Sequence, residues 1–186
     1  APVKQFNQDR MSHKMTVTRL LFLFAIIALL GGCATRPTYM IPTAFDTVKR
    51  HPQTVSVNVS GVFETEAAEG QTSDSPFSQA LVEAINKSQT FSRVIEGDKA
   101  DYLLTVVLFN MEKPAFGLTY TVKMEAGWTL QRANTRATVW QESIKSEHTS
   151  TFGDAFAAVA RMRMAMEGAV RDNISQGLSR ISRLNL

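Results

Sequence analysis

The sequence predicts a two-layer α/β sandwich of the α+β kind, a four- or five-stranded mixed sheet with two helices packed on one face. Three observations carry that expectation. Residues 118–131 alternate apolar and polar side chains, with Leu118, Tyr120, Val122, Met124, Ala126, Trp128 and Leu130 on one set. Residues 103–109 are nearly continuously apolar, broken only by Thr105. From Val159 to Leu184 apolar side chains recur every third or fourth position. Period two marks a strand with one buried face, a short apolar run marks a strand covered on both, and a period near 3.6 marks an amphipathic helix.

The elements follow in chain order. "TVSVNVSGVF" alternates Val55, Val57 and Val59 with Ser56, Asn58 and Ser60, which predicts a first strand over 55–63. Residues 64–75 are small and acidic and read as an exposed loop. Glu64, Glu66, Glu69 and Asp74 do not have the alternating ligand spacing of a calcium loop. Ser75 then caps a helix that begins on Pro76, with Phe77, Ala80, Leu81, Ala84, Ile85 and Ser88 on one stripe to about Thr90. "FSRVIE" predicts a short strand and Gly97-Asp98 a turn. Residues 103–109 form a central strand. Pro114 and Gly117 mark a hairpin into the strand 118–131, and "RANTR" turns into a polar strand suited to an edge, with Trp140, Glu142, Ile144 and Ser146 on one face. The last helix begins near Gly153-Asp154, with Asp154 as cap. Its arginines Arg161, Arg163, Arg171, Arg180 and Arg183 fall largely off the apolar stripe, as a solvated face rather than a lipid-headgroup site. Gly168 and Gly177 lower its local propensity, so packing has to hold it. The strand at 55–63, the first helix and a parallel return make a crossover unit, expected to be right-handed.

Ahead of this body lies "LLFLFAIIALLGGCATRP". The apolar run Leu20–Leu30 is too short for a span, which needs about 20 residues. It has no polar face for a core helix. Lys14 and Arg19 precede it and small residues follow it, the layout of a secretory leader. Leu30-Gly31-Gly32-Cys33 resembles a bacterial lipobox. In proteins that carry one, the cysteine sulfur receives a diacylglycerol, the chain is cut before the cysteine, and the new amino group is acylated. The resemblance implies lipidation at Cys33 and recognition by the signal peptidase through Leu30, Gly31 and Gly32. Translation from Met11 or Met15 would give a leader ending at Gly32, and residues 1–10 read as sequence upstream of it. The expected division is thus 1–10, a leader over 11–32, a lipidated cysteine with an extended tether over 33–53, and one domain over 54–186. Pro37, Pro42 and Pro52 favour the extended tether; Tyr39, Met40, Ile41 and Phe45 are apolar enough to pack on the domain.

The chain carries a formal charge of +3, and residues 1–32 account for all of it: Lys4, Arg10, Lys14 and Arg19 against Asp9. Residues 33–186 are formally neutral, and no nucleic-acid motif or basic arm is present. The single cysteine, consumed by lipid, leaves no disulfide and no thiol ligand.

The lipobox followed by this order of elements resembles the small periplasmic α/β lipoproteins of Gram-negative envelopes. Their architecture is shared by the lipopolysaccharide-assembly lipoprotein and by the periplasmic domains of Tol and secretion-channel proteins. "FSQALVEAINKSQTFSRVIEGDKADYLLTVVL" is similar in style to their helix–strand–strand core, and the likeness covers about residues 54–184. Ala34, a non-aspartate after the cysteine, implies the periplasmic face of the outer membrane as the address, with the inner membrane second.

Chemistry is sparse. There is no nucleophile elbow, phosphate loop, dinucleotide fingerprint or zinc-binding helix, and no cofactor or metal is expected. His51 falls in the tether, and His148 near a strand end reads as solvated. Glu142 and Glu147 fall on opposite faces of an unbroken strand. Trp128, Trp140, Phe77 and Phe109 read as core rather than as the lining of a pocket. The favoured function is a non-catalytic adaptor or envelope-assembly factor, held to the bilayer by acylated Cys33 and meeting an envelope protein through the polar sheet face of Thr119, Thr121, Lys123, Glu125 and Thr129. The alternatives are a module binding an envelope lipid or glycan between sheet and helices and, third, an enzyme acting on envelope lipid.

Overall fold

The computed structural model describes residues 36–61, 75–97 and 99–186. The expected leader, Leu30, Gly31, Gly32 and Cys33 lie outside the described residues, as do Asp98 and all of the acidic loop except Ser75. The elements are α1 (Pro37–Met40), β1 (His51–Gly61), α2 (Pro76–Ser88), β2 (Phe91–Val94), β3 (Tyr102–Glu112), β4 (Tyr120–Arg132), β5 (Thr138–Ser150) and α3 (Ala158–Ile181). The sheet has five strands in the order β2-β1-β3-β4-β5. β1 runs parallel to β2 and β3, and β3, β4 and β5 form an antiparallel meander. This is the mixed two-layer sandwich that the patterning predicts, with the apolar strand β3 at its centre and the polar strand β5 at an edge. No described helix is long and apolar enough to cross a membrane.

The alternation in β4 sets the layers. Tyr120, Val122, Met124, Ala126, Trp128 and Leu130 are buried. Their register neighbours Leu104, Val106 and Leu108 on β3 and Ile144 and Ser146 on β5 are buried with them. α2 and α3 cover that side. α2 starts as its sequence requires: the Ser75 hydroxyl accepts from the Ser78 amide at 3.1 Å, and such a cap is worth about 1 kcal/mol. Gln89 ends it in the left-handed region at φ 54.

α3 lies close on the sheet because two of its glycines face aromatic rings. A β-carbon at Gly177 would stand 2.5 Å from the Trp128 ring, and one at Gly168 would stand 2.1 Å from the His148 ring. The low helix propensity of glycine is thus exchanged for close approach. The layer is pinned by one polar side chain. Asn173, fully buried, accepts from Trp128 Nε1 at 2.9 Å and donates to the Ile144 carbonyl at 2.9 Å.

The structure corrects several expectations. The tether is not free over 36–53. Met40 and Pro42 are buried, and Ile41 and Phe45 pack against the core. The segment 36–50 is a strap along α3. The Arg36 amide donates to Glu167 Oε1 at 2.9 Å, the Arg171 guanidinium donates to the Tyr39 carbonyl at 3.3 Å, and the Val48 and Lys49 amides donate to Ser182. β1 then starts at His51, four residues earlier than its valine alternation indicates. His51 is buried with Nε2 3.0 Å from the Ile181 carbonyl. Asp154 caps no helix; it folds onto Thr151, and α3 starts later, on Ala157, with no side-chain cap. Leu118 and Val159, counted in apolar stripes, are exposed, and Arg161, assigned to the solvated face, is 3% exposed.

Candidate functional site

The face of the sheet opposite the helices has no cover among the described residues. On it β4 presents Thr121, Lys123, Glu125, Gly127 and Thr129, and β5 presents Ser143, Lys145, Glu147 and Thr149. Four of the five residues expected to form a partner surface are therefore brought together. The fifth, Thr119, lies in the hairpin before β4. Glu112 and Lys123 pair across β3 and β4, and Lys123 faces Glu147 across β4 and β5. Glu125 accepts from the Ser143 hydroxyl at 2.7 Å and stands 3.6 Å from Lys145 Nζ. An open groove of about 710 Å³ is lined by open-face residues, Glu112, Lys123, Glu125, Lys145 and Glu147 among them, and also by Asp172 and Gln176 of α3. Its walls carry both signs of charge.

The same face carries an apolar strip that patterning alone did not place. Leu103 and Val107 of β3 are half-buried there, and Phe109 is 63% exposed. Alternation along β3 puts Phe109 on this face with Leu103 and Val107. Leu108 pairs with Ala126 and Asn110 with Glu125, so Phe109 is also the extra residue of a bulge, which brings Asn110 to the same face. The Phe109 ring lies over Gly127, where a β-carbon would come within 2.5 Å. Phe109 is therefore neither core nor pocket lining, which corrects its sequence assignment. Trp140 is half-buried at the β5 edge, while Trp128 and Phe77 are core. Between sheet and helices the space is taken by Trp128, Phe77, Phe91, Leu81 and Ile85, all but fully buried. That filling gives no support to a lipid or glycan held there.

His148 is not simply solvated. On the helix side of β5 its Nδ1 lies 3.0 Å from Asp172 Oδ2, and its Nε2 lies 3.5 Å from a terminal nitrogen of Arg171. A guanidinium only donates, so the tautomer that suits both partners carries its proton on Nδ1. Ser150 Oγ is buried with no hydrogen-bond partner nearby in the same small cavity, which Tyr39, Asp154 and Met164 also line. The free lone pair of the imidazole points at Arg171, so these three side chains do not make a nucleophile–base pair.

A second grouping went unseen in the sequence. Tyr120 at the start of β4 pairs with Ser150 at the end of β5, so the β3–β4 hairpin and the segment after β5 share one end of the sheet. Arg161 closes that end. Its guanidinium donates to the Ala155 and Phe156 carbonyls at 2.8 and 2.7 Å and lies 5.5 Å from the ring centres of both Tyr120 and Phe152. Phe152 and Phe156 meet edge-on at 5.4 Å. The available signal was compositional: residues 114–119 and 151–160 contain one ionisable side chain, Asp154.

Four carboxylates titrate below their ordinary values. Asp46 is lowered by the Ser179 hydroxyl and then by Arg183, and Asp101 by the amide and hydroxyl of Thr54. Glu125 is lowered by the Ser143 hydroxyl, and Asp154 by the amide and hydroxyl of Thr151. A depressed folded value stabilises the fold above the unfolded value, and that contribution is lost as pH falls through the folded one. With ordinary values of 3.8 for aspartate and 4.5 for glutamate, the urea midpoint should hold down to about pH 5 and then fall steadily in acid. Asp101→Asn should flatten part of that acid limb, and an unchanged limb would contradict the Thr54 assignment.

No family model matches the chain, and no curated protein matches its sequence. Its fold is similar to that of uncharacterized lipoprotein B from Nitrosomonas europaea, at 17% identity and a TM-score of 0.52, over 73% of this chain and 87% of that one. It is also similar to a Xanthomonas campestris protein described under the family model DUF330, at 16% identity and a TM-score of 0.51, over 76% of this chain and 87% of that one. At such identities the likeness is one of fold. The chain shares its α/β architecture with these two bacterial proteins.

Proposed function

We propose that the protein is a lipid-anchored, non-catalytic envelope factor that meets a protein partner on the open face of its sheet. The observation that carries this reading is the strip of Leu103, Val107 and Phe109, set among threonines and paired charges and covered by no described element. An apolar centre inside a polar rim is the composition of a protein interface, and an aromatic side chain at such a centre is the usual anchor. The anchor of the molecule is Cys33, read from the leader and Leu30-Gly31-Gly32. The address is the periplasmic face of the outer membrane, read from Ala34, with the inner membrane second.

A photo-reactive residue placed at Phe109 or Thr129 in the full chain should capture a protein in intact envelopes. The same residue at Glu83, on the exposed side of α2, should capture none. Phe109→Arg should abolish capture at Thr129 without lowering the thermal midpoint, since exposed substitutions cost about 0.5 kcal/mol or less. Capture at Glu83 alone, or none on the open face, would overturn the reading.

A further inference from the structure

The end of the sheet closed by Arg161 exposes a concentrated set of apolar side chains. Phe116 is 87% and Phe156 84% exposed, and Leu118, Phe152 and Val159 are exposed with them. They sit on two neighbouring segments, the β3–β4 hairpin (113–119) and residues 151–160, which hold two charged side chains between them, Lys113 where the hairpin leaves β3 and Asp154. Asp154 is turned onto the Thr151 amide and hydroxyl at 2.6 and 2.9 Å. The opposite end is different in kind: Glu96, Lys99, Asp101, Arg132 and Arg136 lie in or beside its turns.

The chain enters beside the apolar end. Arg36 is bonded to Glu167, and Tyr39 lines one cavity with Ser150, Asp154 and Met164. Cys33 lies three positions before Arg36, a stretch that spans at most about 10 Å when extended. From Glu167 the first turn of α3 is nine residues away, about 14 Å at the helical rise, whereas the far end at Ile181 is about 21 Å away. By chain length alone, an acylated Cys33 would have its bilayer within closer reach of the apolar end than of the charged one.

We propose that the end of the domain bearing Phe116, Leu118, Phe152, Phe156 and Val159 rests in the headgroup–acyl boundary of the bilayer that holds Cys33. The proposal builds on the reading of Cys33 as the acylated residue. Aromatic and aliphatic side chains on loops with few charges suit that boundary, where partial burial of apolar area adds to the anchor. Arg161 positions the loop: its two bonds to the Ala155 and Phe156 carbonyls hold the second segment folded with its phenylalanines outward. The contact fixes the orientation of the body and leaves the open sheet face standing sideways to the membrane, free for a partner.

The test uses the full chain, purified acylated from envelopes and placed in vesicles of phosphatidylethanolamine and phosphatidylglycerol. Phe116→Cys and Phe156→Cys, each labelled with an environment-sensitive dye, should show blue-shifted emission that nitroxide-bearing lipids quench. The same dye on Asn134→Cys, in the β4–β5 turn, should emit as in buffer and resist quenching. The anchor is read separately, by the mass of the N-terminal peptide and by flotation with the vesicles. An acylated protein that floats while its dyes at 116 and 156 stay unquenched overturns the docking alone. A chain that carries no diacylglycerol on Cys33 and does not float overturns both readings. A blue shift present without vesicles, with sedimentation that grows with concentration, assigns the surface to a second copy of the chain and overturns the bilayer contact.

Discussion

Trp128→Ala should destabilise the protein by about 3–5 kcal/mol, the range for removing a large buried aromatic side chain. Trp128 is fully buried, its ring fills the gap opened by Gly177, and its Nε1 donates to Asn173 at 2.9 Å. Truncation leaves a cavity in the middle of the layer and strands the Asn173 oxygen, which has no access to water. Trp128→Phe separates the two effects, since it restores most of the volume but leaves that acceptor unpaired, at a cost of about 1–3 kcal/mol. Chemical denaturation measures both. A loss under about 1 kcal/mol for the alanine variant would mean that β4 does not turn this side chain towards α3.

Arg161→Ala should cost about 1.5–3 kcal/mol, the scale for hydrogen bonds made by a charged donor. The loss should be concentrated at one end of the molecule. The side chain is 3% exposed and bridges the Ala155 and Phe156 carbonyls, with its Cζ 5.5 Å over the rings of Tyr120 and Phe152. Amide hydrogen exchange should accelerate over 151–157 while Asn173 and its neighbours keep their protection. Arg161→Lys should fall close to alanine, because a point charge on a flexible stem does not reproduce a planar fork bonded to two carbonyls. Full rescue by lysine, or a uniform rise in exchange across the sheet, would show that the residue acts as bulk charge and not as the clasp of the loop.

What was legible in the sequence was the part fixed by local periodicity. Six of the seven apolar positions of 118–130 are buried, since a strand facing one packed layer has little choice. The Ser75-Pro76 start survives because cap and φ preference are both local. Misplacements come where a non-local contact decides. Phe109 ends an apolar run and alternates with Leu103 and Val107 onto the open face, and nothing in the run itself shows which of its two faces the helices leave uncovered. Arg161 falls off the stripe of large apolar residues. Much of the sheet-facing surface of α3 is made by small residues instead, Ala165, Gly168, Ala169 and Gly177, which a count of large side chains passes over. Of the three prolines, Pro37 opens the short helix α1, Pro42 lies in the strap and Pro52 in β1, and nothing local shows that Ser182 and Arg183, more than a hundred residues on, hold the strap down. The open face was recognisable as polar; its apolar centre was not, because Leu103 and Val107 look like core until the helices are seen to lie on the other side.

The strap has a mechanical consequence. A chain tied to a membrane by its first residues is tugged whenever the membrane or a partner moves. Here a pull on Arg36 runs lengthwise along α3 before it reaches β1. It meets in turn the Glu167 carboxylate, the Arg171 guanidinium on Tyr39, the Asp46 contacts with Ser179 and Arg183, and the two amides held by Ser182. These bonds lie along the line of force and share it as shear, where a free tether would deliver the whole load to the end of a strand and peel it open. The strap works as a cable grip, so tension arriving at Arg36 would be taken up along α3 while the sheet keeps its register.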